Sequence, residues 1–212
     1  MGLPEPHTLV KIKDLTRFFD ENLQIPEWSQ DILQQTPFVI VRRGSNNSSL
    51  PVGIRGFKKS QRFAADLSFD NWEDPVTPRD TKDLISSVTE EQLQKPAFKT
   101  LHQISPLMIK YNWGVSGSLQ FEVVTKIPMV NPNSDLDVII TADQVEFDQQ
   151  TALDLIDRLN QFKTHVDVQI VHGQNGFSLE EYANQRAKTI LVKTAQGPQL
   201  VENPWNFILN FK

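Results

Sequence analysis

Apolar residues recur at three- and four-residue steps in Leu9, Ile12, Leu15, Phe18 and Phe19, which predicts an amphipathic helix after His7-Thr8 that ends before Pro26. Phe38-Val39-Ile40-Val41 and Pro51-Val52-Gly53-Ile54 are short β-branched runs on either side of the turn-rich Gly44-Ser45-Asn46-Asn47-Ser48-Ser49. They predict a hairpin-like strand pair. Between Asp66 and Lys110 the pattern is mixed, punctuated by Val76-Thr77-Pro78 and Lys95-Pro96. Within it, Thr89-Glu90-Glu91-Gln92 has the spacing of a capping box that opens a helix.

The second half alternates more regularly. Leu119 to Thr125 reads as helix or strand, and Pro128 to Ser134 as a loop. Leu136 to Thr141 reads as a strand, and Gln149 to Phe162 as a helix with Ala152, Leu155, Ile156, Leu159 and Phe162 on one side. His165 to Val171 is a second strand and Ser178-Leu179-Glu180-Glu181 a second helix start. Thr189 to Val192 is a third strand, and Gly197-Pro198 turns the chain back before Leu200-Val201. The expectation is an α+β (α/β) protein: a small mixed sheet with flanking helices over residues 111–212, preceded by an N-terminal α+β subdomain over residues 1–110. The boundary is expected near residues 105–112, around Ser105-Pro106.

Charge sharpens this division. Residues 1–110 carry 14 basic and 14 acidic side chains, and residues 111–212 carry 7 and 12, so the net charge of −5 comes wholly from the second half. Inside the balanced half, Ile32 to Ala65 holds Arg42, Arg43, Arg55, Lys58, Lys59 and Arg62 without one acid. A mildly acidic chain is poorly suited to gripping polymeric nucleic acid, where phosphate neutralisation dominates affinity. There is no cysteine, so thiol nucleophiles, disulfides and thiolate metal sites are excluded. No run of about 20 apolar residues is available to span a membrane, and the start has neither a cationic nor a long apolar signal segment. Cytoplasmic residence is expected.

Any chemistry must therefore rest on carboxylates, hydroxyls, imidazoles or a bound ion. In Ser134-Asp135-Leu136-Asp137-Val138-Ile139-Ile140, Asp135 and Asp137 project from one face of a strand while Leu136, Val138 and Ile140 project from the other. Two carboxylates held this close repel unless a cation sits between them. Hard oxygen donors of this kind suit Mg²⁺. Ile139 stands where an EF-hand loop needs an oxygen ligand, which disfavours calcium of that type. In His165-Val166-Asp167-Val168-Gln169-Ile170-Val171, Asp167 shares a face with His165 and Gln169, and it joins the pair if the two strands are neighbours. Taken alone, Asp-X-Asp at a strand entry is more often solvated turn chemistry. Gly114-Val115-Ser116-Gly117-Ser118 offers a small-residue turn whose N–H groups suit phosphate oxygens.

Gly117-Ser118, Asp135-Leu136-Asp137 and Asp167 together resemble the signature of the nucleotidyltransferase superfold: a Gly-Ser turn, an Asp-X-Asp strand and a third Asp. The flanks narrow the resemblance. Pro51-Val52-Gly53-Ile54-Arg55-Gly56, Ser60-Gln61-Arg62-Phe63-Ala64, Trp113 to Ser118 with Gln120-Phe121-Glu122, and Ser134-Asp135-Leu136-Asp137 are the first set. Gly176 to Glu181, Thr194 to Pro198 and Asn203-Pro204-Trp205 follow in order. They look like the phosphoribosyl-dephospho-coenzyme A transferases of malonate decarboxylase. Lys126-Ile127-Pro128 departs from the pattern, standing where a small Thr-Gly-type turn is expected.

That resemblance implies a holo-[acyl-carrier-protein] synthase. Such an enzyme joins the phosphoribosyl-dephospho-CoA group of 2'-(5''-triphosphoribosyl)-3'-dephospho-CoA to a serine of the acyl-carrier subunit and releases pyrophosphate. It implies Asp135 and Asp137 as Mg²⁺ ligands and Asp167 as a further ligand or the general base. Gly117, Ser118 and Ser134 are expected at the donor's phosphates. Arg55, Lys58, Lys59 and Arg62 are expected to meet the triphosphate or the acidic carrier, against the plainer reading of a solvated basic loop. His165 is the one histidine expected near the site, and Trp113 and Trp205 are the tryptophans best placed to touch adenine if any does. The competing functions are a generic ATP-using nucleotidyltransferase and a non-catalytic binding module of the same fold.

Overall fold

The computed structural model describes residues 2–44, 48–58, 60–142, 146–184 and 187–210. The chain divides into two compact units, Met1–Thr77 and Pro78–Lys212. This boundary precedes the expected one near residue 110. The reason lies in the Pro96–Met108 helix, whose Ala97, Phe98, Leu101, Ile104 and Met108 are buried in the core of the second unit. A cut at residue 110 would leave that core without one of its walls.

In the first unit β1 (Leu9–Ile12), α1 (Leu15–Glu21), α2 (Glu27–Gln35), β2 (Phe38–Val41), β3 (Ser49–Arg55), β4 (Arg62–Ser68) and β5 (Trp72–Val76) follow one another. They build an antiparallel sheet in the order β4-β3-β2-β1-β5. The single helix expected over residues 9–19 is instead a strand followed by a helix. Leu9–Ile12 lies inside the sheet and is paired on both sides, with β2 and β5. Asp14 then caps α1, accepting the N–H of Arg17 at 3.1 Å. Two ladders of backbone hydrogen bonds outweigh a helical spacing in a segment this short. The hairpin of β2 and β3 forms as expected, with Ile40 opposite Gly53.

The second unit contains α3 (Pro78–Leu84), α4 (Glu90–Gln94), α5 (Pro96–Met108), β6 (Trp113–Val115), α6 (Gly117–Thr125), β7 (Leu136–Thr141) and α7 (Gln149–Leu159). After these come β8 (Val166–His172), β9 (Asn175–Ser178), α8 (Leu179–Asn184), β10 (Ile190–Thr194), β11 (Gly197–Val201) and α9 (Pro204–Asn210). The capping box at Thr89 forms: its hydroxyl accepts the Gln92 N–H, and the Gln92 side chain accepts the Thr89 N–H. The sheet runs β11-β10-β9-β8-β7-β6, mixed, with β7 and β8 parallel and every other pairing antiparallel. A parallel pair needs a crossover, and α7 supplies it.

One face of this sheet is core. Leu136, Val138 and Ile140 of β7 and Val166, Val168 and Ile170 of β8 meet α5, α7 and α9 there. Trp113 (5 % exposed) and Trp205 (1 % exposed) belong to that core, so neither is available to a nucleobase. Trp205 packs on Phe147, Phe177 and Tyr182 at centroid distances of 5.8, 5.2 and 6.1 Å. Among the described residues no helix is long and apolar enough to cross a membrane.

Candidate active site

Side chains of alternating strand residues point to opposite faces, so burying Leu136, Val138 and Ile140 sends Asp137, Ile139 and Thr141 to the other face. The same alternation places Asp167 and Gln169 of β8 on that face. In the parallel register Asp137 lies directly opposite Asp167, on strands about 4.8 Å apart. Both carboxylates are half-buried, whereas Asp135, just before β7, is exposed. The neighbouring strands thus put Asp137 and Asp167 side by side, as the sequence implied.

The start of α6 closes on this pair. Ser116 donates its N–H to the Asp137 carbonyl at 3.0 Å, which ties the helix entry to β7. Gly117 follows with φ +67°, in the left-handed region. A Cβ at Gly117 would overlap the Asp137 carboxylate, lying 2.6 Å from its Cγ. Glycine is required here on two counts: backbone conformation and space for the carboxylate. Gly117 and Ser118 occupy the first turn of α6, where helical N–H groups have no partner within the helix. Such groups suit anions. Ser118 is buried and Gly117 half-buried. On β6, a Cβ at Gly114 would collide with the Pro78 backbone, so α3 begins in direct contact with that strand.

Ser134 closes the turn before Asp135. Its hydroxyl accepts the Asn131 N–H at 3.0 Å, its own N–H reaches the Asn131 carbonyl at 3.0 Å, and Asn133 N–H binds the Asn131 side chain at 2.9 Å. Ser134 has this structural part in addition to the phosphate contact expected of it. His165 is exposed, its Nε2 lying 3.4 Å from a Glu180 carboxylate oxygen. Beside Glu180, a cavity lined by Ser178, Glu181, Asn184 and Thr189 opens at the start of α8.

The basic candidates belong to the first unit. Arg55 and Arg62 are cross-strand partners on β3 and β4. Lys58 lies in the turn between them, where its N–H binds the Gln61 side chain at 2.9 Å. Arg62 and Lys58 are exposed and Arg55 is half-buried. Lys59 lies outside the described residues. Arg43 behaves differently from the rest: burial pushes its guanidinium down to about 10, and its Nε and Nη2 are buried without an acceptor among the described residues.

One residue of the second unit was quoted above only as part of a motif. Glu122 of α6 is 1 % exposed. One carboxylate oxygen accepts from Lys95 Nζ at 2.6 Å and Gln92 Nε2 at 3.2 Å. The other accepts the N–H groups of Met129 at 2.9 Å and Val130 at 2.8 Å. Burial pushes this carboxyl up, but Lys95, the two N–H groups and Gln92 outweigh it and hold the group below the usual carboxylate range. The signal was an acid among Leu119, Phe121, Val123 and Val124, since Glu is almost never fully buried unless paired. These bonds also give the path of the departing segment after Lys126. Lys126 takes a left-handed conformation (φ 64°) that ends α6, and Glu122 holds the chain three and four residues later.

For Mg²⁺ the donor chemistry fits: hard carboxylate oxygens, that of Asp137 set in the space a side chain at position 117 would fill. Among the described residues no three His, Asp or Glu side chains converge closely enough to hold an ion alone. An ion here would take one or two carboxylates and complete its shell from water and substrate phosphates, as Mg²⁺ usually does.

An α+β chain with acidic strand residues packed against a glycine-opened helix is, by comparison with known proteins, a transferase. Residues 84–204 match the family described as "Phosphoribosyl-dephospho-CoA transferase MdcG C-terminal domain", and residues 5–78 its N-terminal domain. The chain belongs to this phosphoribosyl-dephospho-CoA transferase family. A relative from Pseudomonas syringae pv. tomato named phosphoribosyl-dephospho-CoA transferase is 33% identical over 95% of this chain and 93% of its own. One of the same name from Klebsiella pneumoniae subsp. pneumoniae is 31% identical over 96% and 97%. Another from Pseudomonas fluorescens is 32% identical over 85% and 86%. No solved structure matches significantly. The two family matches meet between residues 78 and 84, at the junction of the two units.

Proposed function

We propose that this chain transfers the phosphoribosyl-dephospho-CoA group from 2'-(5''-triphosphoribosyl)-3'-dephospho-CoA to a serine of the acyl-carrier subunit of malonate decarboxylase. The chemistry is displacement at the α-phosphorus. The serine Oγ–P bond forms, the bond from that phosphorus to the β-phosphate oxygen breaks, and pyrophosphate leaves with the electron pair. Catalysis of such a step is mainly positioning and charge stabilisation.

Asp135 and Asp137 would hold Mg²⁺, which supplies positive charge to the phosphate oxygens when bound. Asp167, register partner of Asp137, receives the serine proton. The N–H groups at Gly117 and Ser118 bind donor phosphate oxygens, and Ser134 holds the Asp135 turn beside them. Arg55 and Arg62, with Lys58 and Lys59, attract the triphosphate or the acidic carrier, the arginines favoured for bidentate contact. The reaction belongs in the cytoplasm and needs no nucleic acid or membrane partner.

The observation that carries this reading is the fit of Gly117 around the Asp137 carboxylate, directly across from Asp167. The test is incubation of the protein with apo-carrier, the triphosphoribosyl donor and Mg²⁺. The expected result is one equivalent of pyrophosphate and one prosthetic group per carrier by mass spectrometry. Labelling of the carrier by ATP, with none from this donor, would replace the reading with a generic nucleotidyltransferase. Ligand binding without any turnover would replace it with a binding module.

A further inference from the structure

We propose that Glu122 is a positioning residue that sets the place of Asp135 by anchoring the chain between α6 and β7. The inference rests on the assignment of Asp135 to the Mg²⁺ and phosphate site.

Asp135 lies outside β7, so the strand ladder does not fix it as it fixes Asp137. It joins the segment from Lys126 to Ser134 on one side and Leu136, whose N–H meets the His165 carbonyl at 2.9 Å, on the other. The part of the segment next to Asp135 is held at two places. At the first, one Glu122 carboxylate oxygen takes the adjacent N–H groups of Met129 and Val130. At the second, the three bonds among Asn131, Asn133 and Ser134 close a turn whose next residue is Asp135. No residue separates the two holds, because Asn131 follows Val130 directly. A displacement of Met129 and Val130 is thereby passed through a closed turn to Asp135.

The other carboxylate oxygen ties Glu122 into the surrounding helices. Lys95, at the entry of α5, and Gln92, in α4, bind the other oxygen. Glu122 therefore joins two helices, the helix that begins at Gly117, and the segment leading to Asp135. Buried and bonded on both oxygens, it has no alternative partner in water. A group that orients a metal-binding carboxylate without touching the ion is the usual kind of outer partner.

Glu122→Gln tests this, because an amide keeps the volume but offers only one acceptor oxygen for two donor groups. Hydrogen exchange of residues 129–135 and Mn²⁺ titration of the protein are read alongside the transfer assay. The expected result is faster exchange at Met129, Val130 and Ser134, with Mn²⁺ affinity and kcat reduced roughly 10- to 100-fold and the KM for carrier unchanged. Lys95→Met, which leaves both N–H bonds in place, is expected to lower the melting temperature while kcat stays within about threefold, far short of the loss an outer-partner change brings. Should Glu122→Gln not fold, Glu122→Asp carries the same measurements, since it keeps the charge but falls short of the two amides. Wild-type exchange at 129–135, Mn²⁺ affinity within twofold, or an equal kcat loss in Lys95→Met would each overturn the positioning role. An inactive wild type whose variant still shows loosened amides and weaker Mn²⁺ binding would overturn the proposed reaction and leave the positioning role standing.

Discussion

Gly117 and Asp137 carry the most specific local geometry in the molecule. Replacing Gly117 by Ala puts a methyl into the Asp137 carboxylate and strains a positive φ. The expected cost is about 1–3 kcal/mol of stability, read by urea unfolding, with activity reduced at least 100-fold, the penalty expected when a misplaced group spoils a reacting geometry. Asp137→Asn is expected to abolish transfer while leaving the melting temperature unchanged or raised, because it removes repulsion with Asp167. Thermal unfolding beside the carrier assay separates the two effects. At this scale the sequence pointed to Asp135, Asp137, Asp167 and Gly117 by residue type and spacing, and the structure sets Asp137 opposite Asp167 and against Gly117. For Glu122 the sequence offered only an acid in a mostly apolar segment, because whether an acid in a helix is solvated or pinned depends on where residues 92, 95, 129 and 130 arrive. Glu122 also has a pH signature. Its pKa in the folded state lies below the ordinary value of 4.5, so its stabilisation is complete above that value and is lost as pH falls through the lower folded value. The stability difference between wild type and Glu122→Gln, measured by urea unfolding across pH, is therefore expected to be constant near neutrality and to narrow below about 4.5.

Among elements, β7 and β8 were legible because alternation persists over six or seven residues, with an apolar face for the core and Asp137 and Asp167 on the other. The capping box at Thr89 was legible for a similar reason, since its two bonds involve residues three apart. Thr89→Ala is expected to cost about 1 kcal/mol in unfolding experiments. The segment at Leu9 was misread because four residues are too few to establish a period. Its identity is decided by partners that arrive from β2 and β5. Trp205 illustrates a different ambiguity: an aromatic in a family-like motif is more often a core anchor but also reads as a ligand platform. It proves to be the anchor by which α9 joins Phe147, Phe177 and Tyr182. Trp205→Ala is expected to cost about 3–5 kcal/mol of stability, and near-ultraviolet circular dichroism should report the loss of the aromatic cluster.

Across the whole chain, the acidic excess lies in the second half, while the compact units divide at Thr77 and Pro78, upstream of the boundary expected around Ser105-Pro106. Charge changes near residue 110 because the acids of the site and its surroundings follow that point, whereas folding units are set by which side chains share a core. The punctuation at Val76-Thr77-Pro78 coincides with the junction and was the better guide. The division also separates two roles in the proposed reaction, with basic residues in one unit and aspartates in the other. Arg55→Ala with Arg62→Ala is expected to raise a substrate KM about tenfold or more, as loss of a charge-assisted hydrogen bond does. kcat should be little changed and the effect should shrink as salt rises, which steady-state kinetics at two ionic strengths would check.

The absence of room beside Asp137 has a meaning for descent as well as for catalysis. Any side chain at position 117 would meet that carboxylate, so selection is expected to hold glycine there for as long as Asp137 is kept. A gene copy with another residue at that place is expected to carry the losses of stability and activity foreseen for Gly117→Ala.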